Sequence, residues 1–416
     1  MVLHTLEALN YKCLRYIRQE LHTFQILVGP NASGKSTFLD VLVFLKDILE
    51  EGLQKAVQKR ARSVRDLAWQ MEPHPVELAV ELHIPEHLRH KDDSRIRYEV
   101  RIGTDEDGML TFLVENLWLV REALYTNHST QDVSKTVFPA EMKPPPSIVK
   151  IPGKRAPAGY RKVMSRTADG RVYVRSETSD WNFPLHVGKD RAGLLLIPEE
   201  ARFPVSQWLR KMLTEQLHFV MLSSQHMRWP CHPEAPKTFQ PDGANLAIVV
   251  ERLQHQPLQL ELWVDHLRTV LPDIKTITVK EREEDRYRYL VVITKDGKLL
   301  PSWLLSDGTL RLFALTLLAY LPEKKGIYII EEPENGIHPR ALEAVYQSLS
   351  SVYEGQIFCT THSPILLNLA RPRELLCFAL TQHGATDIVP GDQHPHLKEW
   401  RSEIALGDLL ASGMLG

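Results

Sequence analysis

The sequence is short of cysteine. Its four, Cys13, Cys231, Cys359 and Cys377, are scattered through 416 residues and form no C-x-x-C pair, which supports neither a disulfide framework nor a zinc module and fits a reducing compartment. An excess of charge of one sign is also missing. Lys and Arg number 50 against 52 Asp and Glu, so a globally basic nucleic-acid binder is excluded, though a local patch is not. No apolar run approaches the roughly 18 residues of a membrane span. The opening MVLHTLEALNYKCLRYI lacks the apolar core and small-residue cleavage site of a signal peptide, so a cytoplasmic chain without a membrane partner is expected. Internal repeats and sustained heptads are absent too. His226, Cys231 and His232 lie close together in QHMRWPCHPEAP, as do His394 and His396 in DQHPHLKEW. Proline-rich loops with incidental histidines account for both, and neither is read as a metal site.

What the chain does have is FQILVGPNASGKSTFLDVL, beginning at Phe24. Phe24 and Ile26 to Val28 read as a short buried strand ending in glycine, and Ser36, Thr37, Phe38, Leu39, Val41 and Leu42 open a helix. Between them Gly29, Gly34, Lys35 and Ser36 match G-x-x-x-x-G-K-[ST] in the strand-to-helix context the motif requires. A phosphate needs several backbone N–H groups converging on one centre, and glycines let the main chain wrap that closely. The helix N-terminus adds unsatisfied donors and the positive end of its dipole. Lys35 would reach the β- and γ-phosphates, and the Ser36 hydroxyl would ligate Mg²⁺.

Length exceeds a single-core prior of about 150 residues per domain, so two or three units are expected. TLEALNYKCLRYI is strand-like, and the helix after the phosphate loop runs to about Leu49 and on into LQKAVQKRARSVRDL, which has helical spacing and a basic face. VELAVELHI, IRYEVRI and LTFLVENLWL alternate apolar and polar residues, as half-buried antiparallel strands do. TADGRVYVR places an Asp-Gly turn between strand-like runs. Helical spacing returns in VSQWLRKMLTEQL and across NLAIVVERLQHQPLQLELWVDHLRTVL, and IKTITVKEREEDRYRYLVVIT reads as a second hairpin.

Further signals gather in the last third. In GIYIIEEPENGIHP, Ile327 to Ile330 form a buried strand with Glu331 and Glu332 at its C-terminal end, where open α/β sheets place their ligands. One carboxylate there can hold the Mg²⁺ shell and its neighbour can take a proton from, or orient, an attacking water. Ser306, Asp307 and Gly308 precede an apolar-faced helix in LLSDGTLRLFALTLLAYL; they read either as a helix N-cap and turn or as a second anion site. IFCTTHSPILL gives another buried strand tipped by Thr360, Thr361 and His362.

In this order the motifs resemble those of an ABC-type ATPase head, and the chain most resembles the AAA-family ATPases of the ABC/RecF/OLD/SMC-like group, as found in bacterial anti-phage defence systems. GPNASGKST, SDGT, EEPENGIHP and THSP carry the resemblance, with DGANLA and the GDLLASGMLG end; the motifs cover residues 1–50 and 300–370. The resemblance implies an α/β fold: a head with a mixed sheet, helices and an antiparallel β lobe, interrupted by a mixed α/β insertion. The N-terminal lobe would span residues 1–125, the insertion 126–270 and the C-terminal lobe 271–416. It further implies ATP binding by Gly29, Pro30, Asn31, Ala32, Ser33, Gly34, Lys35, Ser36 and Thr37, with Mg²⁺ on Ser36 and Glu331. Glu332 would be the catalytic glutamate and His362 the switch histidine. Ser306, Asp307 and Gly308 match the signature that meets the γ-phosphate held by a second subunit, so a homodimer or higher oligomer is implied. The signature departs from the Leu-Ser-Gly-Gly-Gln of transporters, PENGIHP departs from their dimer-contact loop, and the glutamine-loop position stays open, with Gln225 one candidate.

The leading expectation is an ATPase that serves as sensor or scaffold subunit of an anti-phage defence system, its effector on a separate chain, because no D-x-D of an OLD-type nuclease follows THSP. The alternative is a RecF-like or SMC-like DNA-repair ATPase acting directly on DNA; an importer ATPase fits the signature less well. Nucleic acid stays a candidate partner through two basic stretches. One holds Lys150, Lys154, Arg155, Arg161, Lys162, Arg166, Arg171 and Arg175, interrupted only by Asp169; the other is Lys55, Lys59, Arg60, Arg62 and Arg65. Each also reads as an ordinary solvated face.

Overall fold

The structure is a computed structural model that describes residues 2–90, 92–121, 137–150, 156–167, 169–321, 326–398 and 405–415. Among the described residues seventeen strands run in chain order: β1 (Leu3–Tyr11), β2 (Leu14–Glu20), β3 (Phe24–Val28), β4 (Val76–His83), β5 (Asp93–Thr104), β6 (Leu110–Arg121), β7 (Tyr160–Arg166), β8 (Arg171–Arg175), β9 (Asn182–His186), β10 (Leu217–Val220), β11 (Ile274–Glu281), β12 (Arg288–Thr294), β13 (Leu299–Pro301), β14 (Ile327–Glu331), β15 (Gln356–Thr360), β16 (Leu375–Leu380) and β17 (Thr386–Pro390).

The sheet that matters for function has the order β10-β14-β15-β3-β16-β17. All its pairs are parallel except β16 with β17. Its strands are near-continuous apolar runs because both faces are covered. Residue by residue they alternate between two cores. Leu27, Ile327, Ile329, Phe358 and Leu376 join the cluster that includes the long helix Lys35–Glu51. Ile26, Val28, Ile330, Ile357 and Cys377 join the cluster containing the helix Asp307–Leu317.

Against the first core lies an eight-stranded antiparallel sheet, β2-β1-β4-β5-β6-β7-β8-β9. The TADGRVYVR hairpin forms as β7 and β8 and, with β9, extends the N-terminal lobe's own sheet. The half-buried pattern expected of β4 to β6 is not what forms: their polar positions are buried as well. Arg97, 2% exposed at its side chain, sits between Glu7 at 2.8 Å, Glu81 at 3.1 Å and Glu99 at 2.7 Å. Residues 147–150 cover this face. Arg97 donates to the Ile148 carbonyl, Glu99 accepts from the Lys150 N–H, and Glu77 accepts from the N–H of Ile148. Charges screened from water in this way persist only when paired and hydrogen-bonded.

Two helical expectations are subdivided. LQKAVQKRARSVRDL forms two short helices, Leu53–Gln58 and Val64–Leu67. The run from Asn245 forms Leu246–Gln254 and Pro257–Arg268, because Pro257 lacks an N–H and belongs in a first turn. The second hairpin forms as β11 and β12, with β13 completing a small sheet that leads into the helix Asp307–Leu317.

Candidate functional site

β3 delivers the chain into the phosphate loop, and two glycines let it pass. Gly29 has φ +146°, and a Cβ there would lie 2.2 Å from the Phe378 carbonyl oxygen. Gly34 has φ +102°, and its Cβ would lie 2.2 Å from Thr386 Oγ1, the hydroxyl that donates to the Ser33 carbonyl at 3.0 Å. The loop is thus seated on β16 and β17, and glycine is needed for both angle and space. Lys35 opens the helix and is 7% exposed. Its ammonium donates to the carbonyls of Gly29 at 2.7 Å and Pro30 at 2.8 Å. Burial holds the Lys35 pKa below its ordinary value, opposed by the charge on Glu332. Ser33 Oγ is buried and has no hydrogen-bond partner among the described residues, which suits a loop whose donors point toward an added anion.

Because β3, β15 and β14 are parallel neighbours, their C-terminal ends share one edge of the sheet. A cleft of about 550 Å³ opens there. Asn31 to Thr37 line one side, and Glu331, Glu332, Asn335, Thr360 and His362 line the other. Three segments separated in sequence therefore meet. Glu332 leaves β14 with φ +46°, a left-handed conformation that costs a non-glycine residue of order 1–3 kcal/mol and is common at functional sites. Its N–H donates to the Thr360 carbonyl at 3.1 Å. Its carboxylate accepts from Asn335 Nδ2 at 2.6 Å. The Ser36 hydroxyl and the Glu331 carboxylate face the same cleft; hard oxygen donors leaving room for phosphate and water are the set Mg²⁺ accepts. Gly29 and Pro30 stand behind the cleft lining and act on it through Lys35.

The signature residues are not in this cleft. Ser306 caps the helix Asp307–Leu317, its hydroxyl accepting from the Thr309 N–H at 3.1 Å. Asp307 pairs with Arg228. A Cβ on Gly308 would come within 2.6 Å of the Gly336 carbonyl oxygen, so the signature helix abuts the loop after Glu332. Gln225 is exposed on the short helix Ser224–Arg228 and also lies outside the cleft lining. Asn335 and Glu334, both within PENGIHP, are not among the residues that the motifs mark. The signal was there: an amide three residues after a strand-end acid can turn back onto it.

The basic stretch around β7 and β8 is largely spent on internal partners. Arg161 pairs with Asp93, Arg171 with Asp169 and Arg175 with Asp180. Arg166 is buried beside Glu115 and donates to the carbonyls of Arg191 and Gly188. The Lys150 ammonium lies 4.5 Å from the Tyr160 ring centroid. Lys154 and Arg155 lie outside the described residues. In the other stretch Arg60 bridges Asp40 and Asp47, and Lys59 pairs with Asp47 and Glu51.

A nucleotide-sized cleft on the C-terminal edge of a parallel sheet, with an antiparallel lobe packed on one side, is the architecture of an ABC- and SMC-like ATPase head. The chain belongs to the family described as "AAA domain, putative AbiEii toxin, Type IV TA system", which it matches over residues 24–129 and 244–368, more than half its length. It is an ATPase of that AAA type. Its fold is similar to that of an SMC head solved in complex with the C-winged helix domain of ScpA, at 13% identity and a TM-score of 0.51 over 93% of this chain and 96% of that one. The SMC head domain from Thermotoga maritima matches at 12% identity and a TM-score of 0.46, covering 94% of this chain and 99% of that one. No curated protein matches the chain. Among the described residues no helix is long and apolar enough to cross a membrane.

Proposed function

We propose that the chain binds ATP with Mg²⁺ in the cleft between the phosphate loop and the β14 and β15 tips, and hydrolyses it there as an ATP-gated switch. Residues Gly29 to Thr37 cradle the phosphates, and Lys35 leaves the loop carbonyls for the β- and γ-phosphates. Ser36 and Glu331 hold Mg²⁺, which supplies charge neutralisation on the phosphate oxygens. Glu332, kept in place by Asn335, accepts the proton of the attacking water, and His362 stands at the γ-phosphate end of the cleft. The observation that carries this reading is the convergence of phosphate loop, two strand-end carboxylates and strand-tip histidine on one cleft. Glu332→Gln keeps size and hydrogen bonding, so it should bind ATP while turnover falls by about 10²-fold or more; Lys35→Ala should lose ATP binding. Isothermal titration with ATP beside a phosphate-release assay separates the two, and wild-type turnover by Glu332→Gln would refute the assignment of the base.

The separation of Ser306 and Gly308 from the cleft of their own chain supports a second part of the proposal: two copies close on ATP, each presenting its signature helix to the other's γ-phosphate. In this reading the dimer is the sensor or scaffold of an anti-phage defence system whose effector is another chain. The family name's toxin and Type IV context supports it. The purified chain should then cut no DNA in Mg²⁺ or Mn²⁺, and phage protection in cells should need both Lys35 and a neighbouring gene. Cleavage that persists through stringent purification and vanishes in Lys35→Ala or Glu332→Gln would contradict the separate effector. A repair head acting directly on DNA is the alternative, drawing on the likeness to the SMC head fold; the internally paired arginines of β7 and β8 weigh against those strands as its phosphate-binding surface.

A further inference from the structure

The loop that follows Glu332 touches the acid, the switch turn and the signature helix. Asn335 reaches back to the Glu332 carboxylate, and the Gly336 carbonyl meets the signature helix at Gly308. Glu334, the residue before Asn335, engages the turn after β15. One of its carboxylate oxygens, Oε1, accepts three hydrogen bonds from consecutive residues: Thr361 Oγ1 at 2.7 Å, the His362 N–H at 2.9 Å and the Ser363 N–H at 3.1 Å. Its other oxygen, Oε2, is buried and has no hydrogen-bond partner among the described residues. A carboxylate oxygen shut off from water without a partner is costly, and charge-assisted bonds to backbone N–H groups on the other oxygen are the strong kind that offset such a cost.

We infer that Glu334 is a positioning residue for hydrolysis: its carboxylate gathers the switch turn and sets where His362 stands relative to Glu332 on the same wall of the cleft. The inference rests on the cleft assignment above. The geometry favours it over a purely structural bond because all three donors belong to the turn that carries His362, and because the Glu334 backbone is itself held close to Glu332. The Asn335 N–H donates to the Glu332 carbonyl and the Ile337 N–H to the Glu334 carbonyl, both at 3.0 Å. The acid and the turn are thereby tied to one short stretch of chain. When that tie is cut, both halves of the site remain but their register is lost, and misplacement on the scale of 1 Å is enough to cost about 10²-fold in rate.

The test is a double-mutant cycle in steady-state ATP hydrolysis with Glu334→Ala, His362→Ala and the pair. Glu334→Ala should lower kcat by about 10- to 100-fold while leaving KM for ATP within about threefold, since the phosphate loop is untouched. Glu334→Gln, which retains an acceptor oxygen, should regain most of the loss. In the His362→Ala background Glu334→Ala should add little. If Glu334→Ala does not fold, the cycle run with Thr361→Val in its place carries the same expectation, because it removes one of the three donors. Losses that multiply in the pair, or a raised KM with kcat intact, would overturn the positioning role while leaving the cleft assignment standing. Wild-type turnover that survives Lys35→Ala would overturn the cleft assignment, and this role with it.

Discussion

Gly34 sits where a side chain cannot follow. Its φ of +102° is unfavourable for any residue with a Cβ, and that Cβ would lie 2.2 Å from Thr386 Oγ1. Gly34→Ala should therefore deform the phosphate loop and weaken ATP binding by about tenfold or more. Adding Thr386→Ala relieves the collision but not the backbone angle, so the double variant should recover only part of the affinity. Titration calorimetry decides; wild-type affinity in Gly34→Ala would mean that the loop does not need this conformation. At this scale the sequence was informative where the candidate cleft is built from local segments. Gly29 to Thr37 form one contiguous strand–loop–helix, and Glu331, Glu332 and His362 sit at strand ends, so each was readable from its neighbours. Glu334 and Asn335 were not singled out. The partners of Glu334 lie at Thr361 to Ser363, on a different strand tip, and nothing in the sequence states that β14 and β15 are adjacent.

Among the elements, the antiparallel lobe departs furthest from its sequence pattern. Alternation in β4 to β6 implied one wet face; the face is dry because residues 147–150 lie across it and the polar positions are spent on ion pairs. A proline-rich loop gives no periodic signal of where it will lie, which is why this cover was not legible. Arg97 is the centre of that face, and Arg97→Met would leave Glu7, Glu81 and Glu99 buried around an apolar group. The expected loss is about 3–5 kcal/mol, the usual cost of removing one partner of a buried charge cluster, measured by urea denaturation. A loss under about 1 kcal/mol would place these pairs with solvent-screened ones.

The same lobe carries His4 on β1 and His83 on β4, their rings 4.8 Å apart. Burial first, then the Arg95 charge, lowers the His4 pKa from 6.5 to about 3 and the His83 pKa from 6.5 to about 4; Glu81 pulls both the other way. Both folded-state values lie below the unfolded one, so the unfolded chain takes up protons first as pH falls. Their neutral-state contribution is complete above pH 6.5 and is lost as pH falls, down to about 4 for His83 and about 3 for His4. Melting temperature should fall through that window, and His83→Gln should flatten the fall if it folds as the wild type does. A flat profile in the wild type would contradict the burial of both rings in neutral form.

For the whole molecule, the proposed dimer rests on the placement of Ser306 and Gly308 outside the cleft of their own chain. The cleft gathers Lys35, Glu332 and His362, while Ser306 and Gly308 stand across the loop after Glu332 on another surface. Isologous pairing demands that each copy give both surfaces, and in the proposed dimer these are the cleft and the Ser306 helix end. Ser306→Asp tests the proposal with little harm to the fold, because aspartate caps a helix as well as serine does yet sets a negative charge where the partner's γ-phosphate would lie. Alone it should bind ATP with near wild-type affinity and fail to hydrolyse it; Lys35→Ala should fail to bind. The most direct measurement is the ATPase rate as these two variants are mixed, with light scattering reporting mass in parallel. Random pairing at equal amounts places one intact composite site in half the dimers, so the rate should rise from near zero to about a quarter of wild type. A rate of zero at every ratio with mixed dimers present, or full activity of Ser306→Asp by itself, would contradict the shared site.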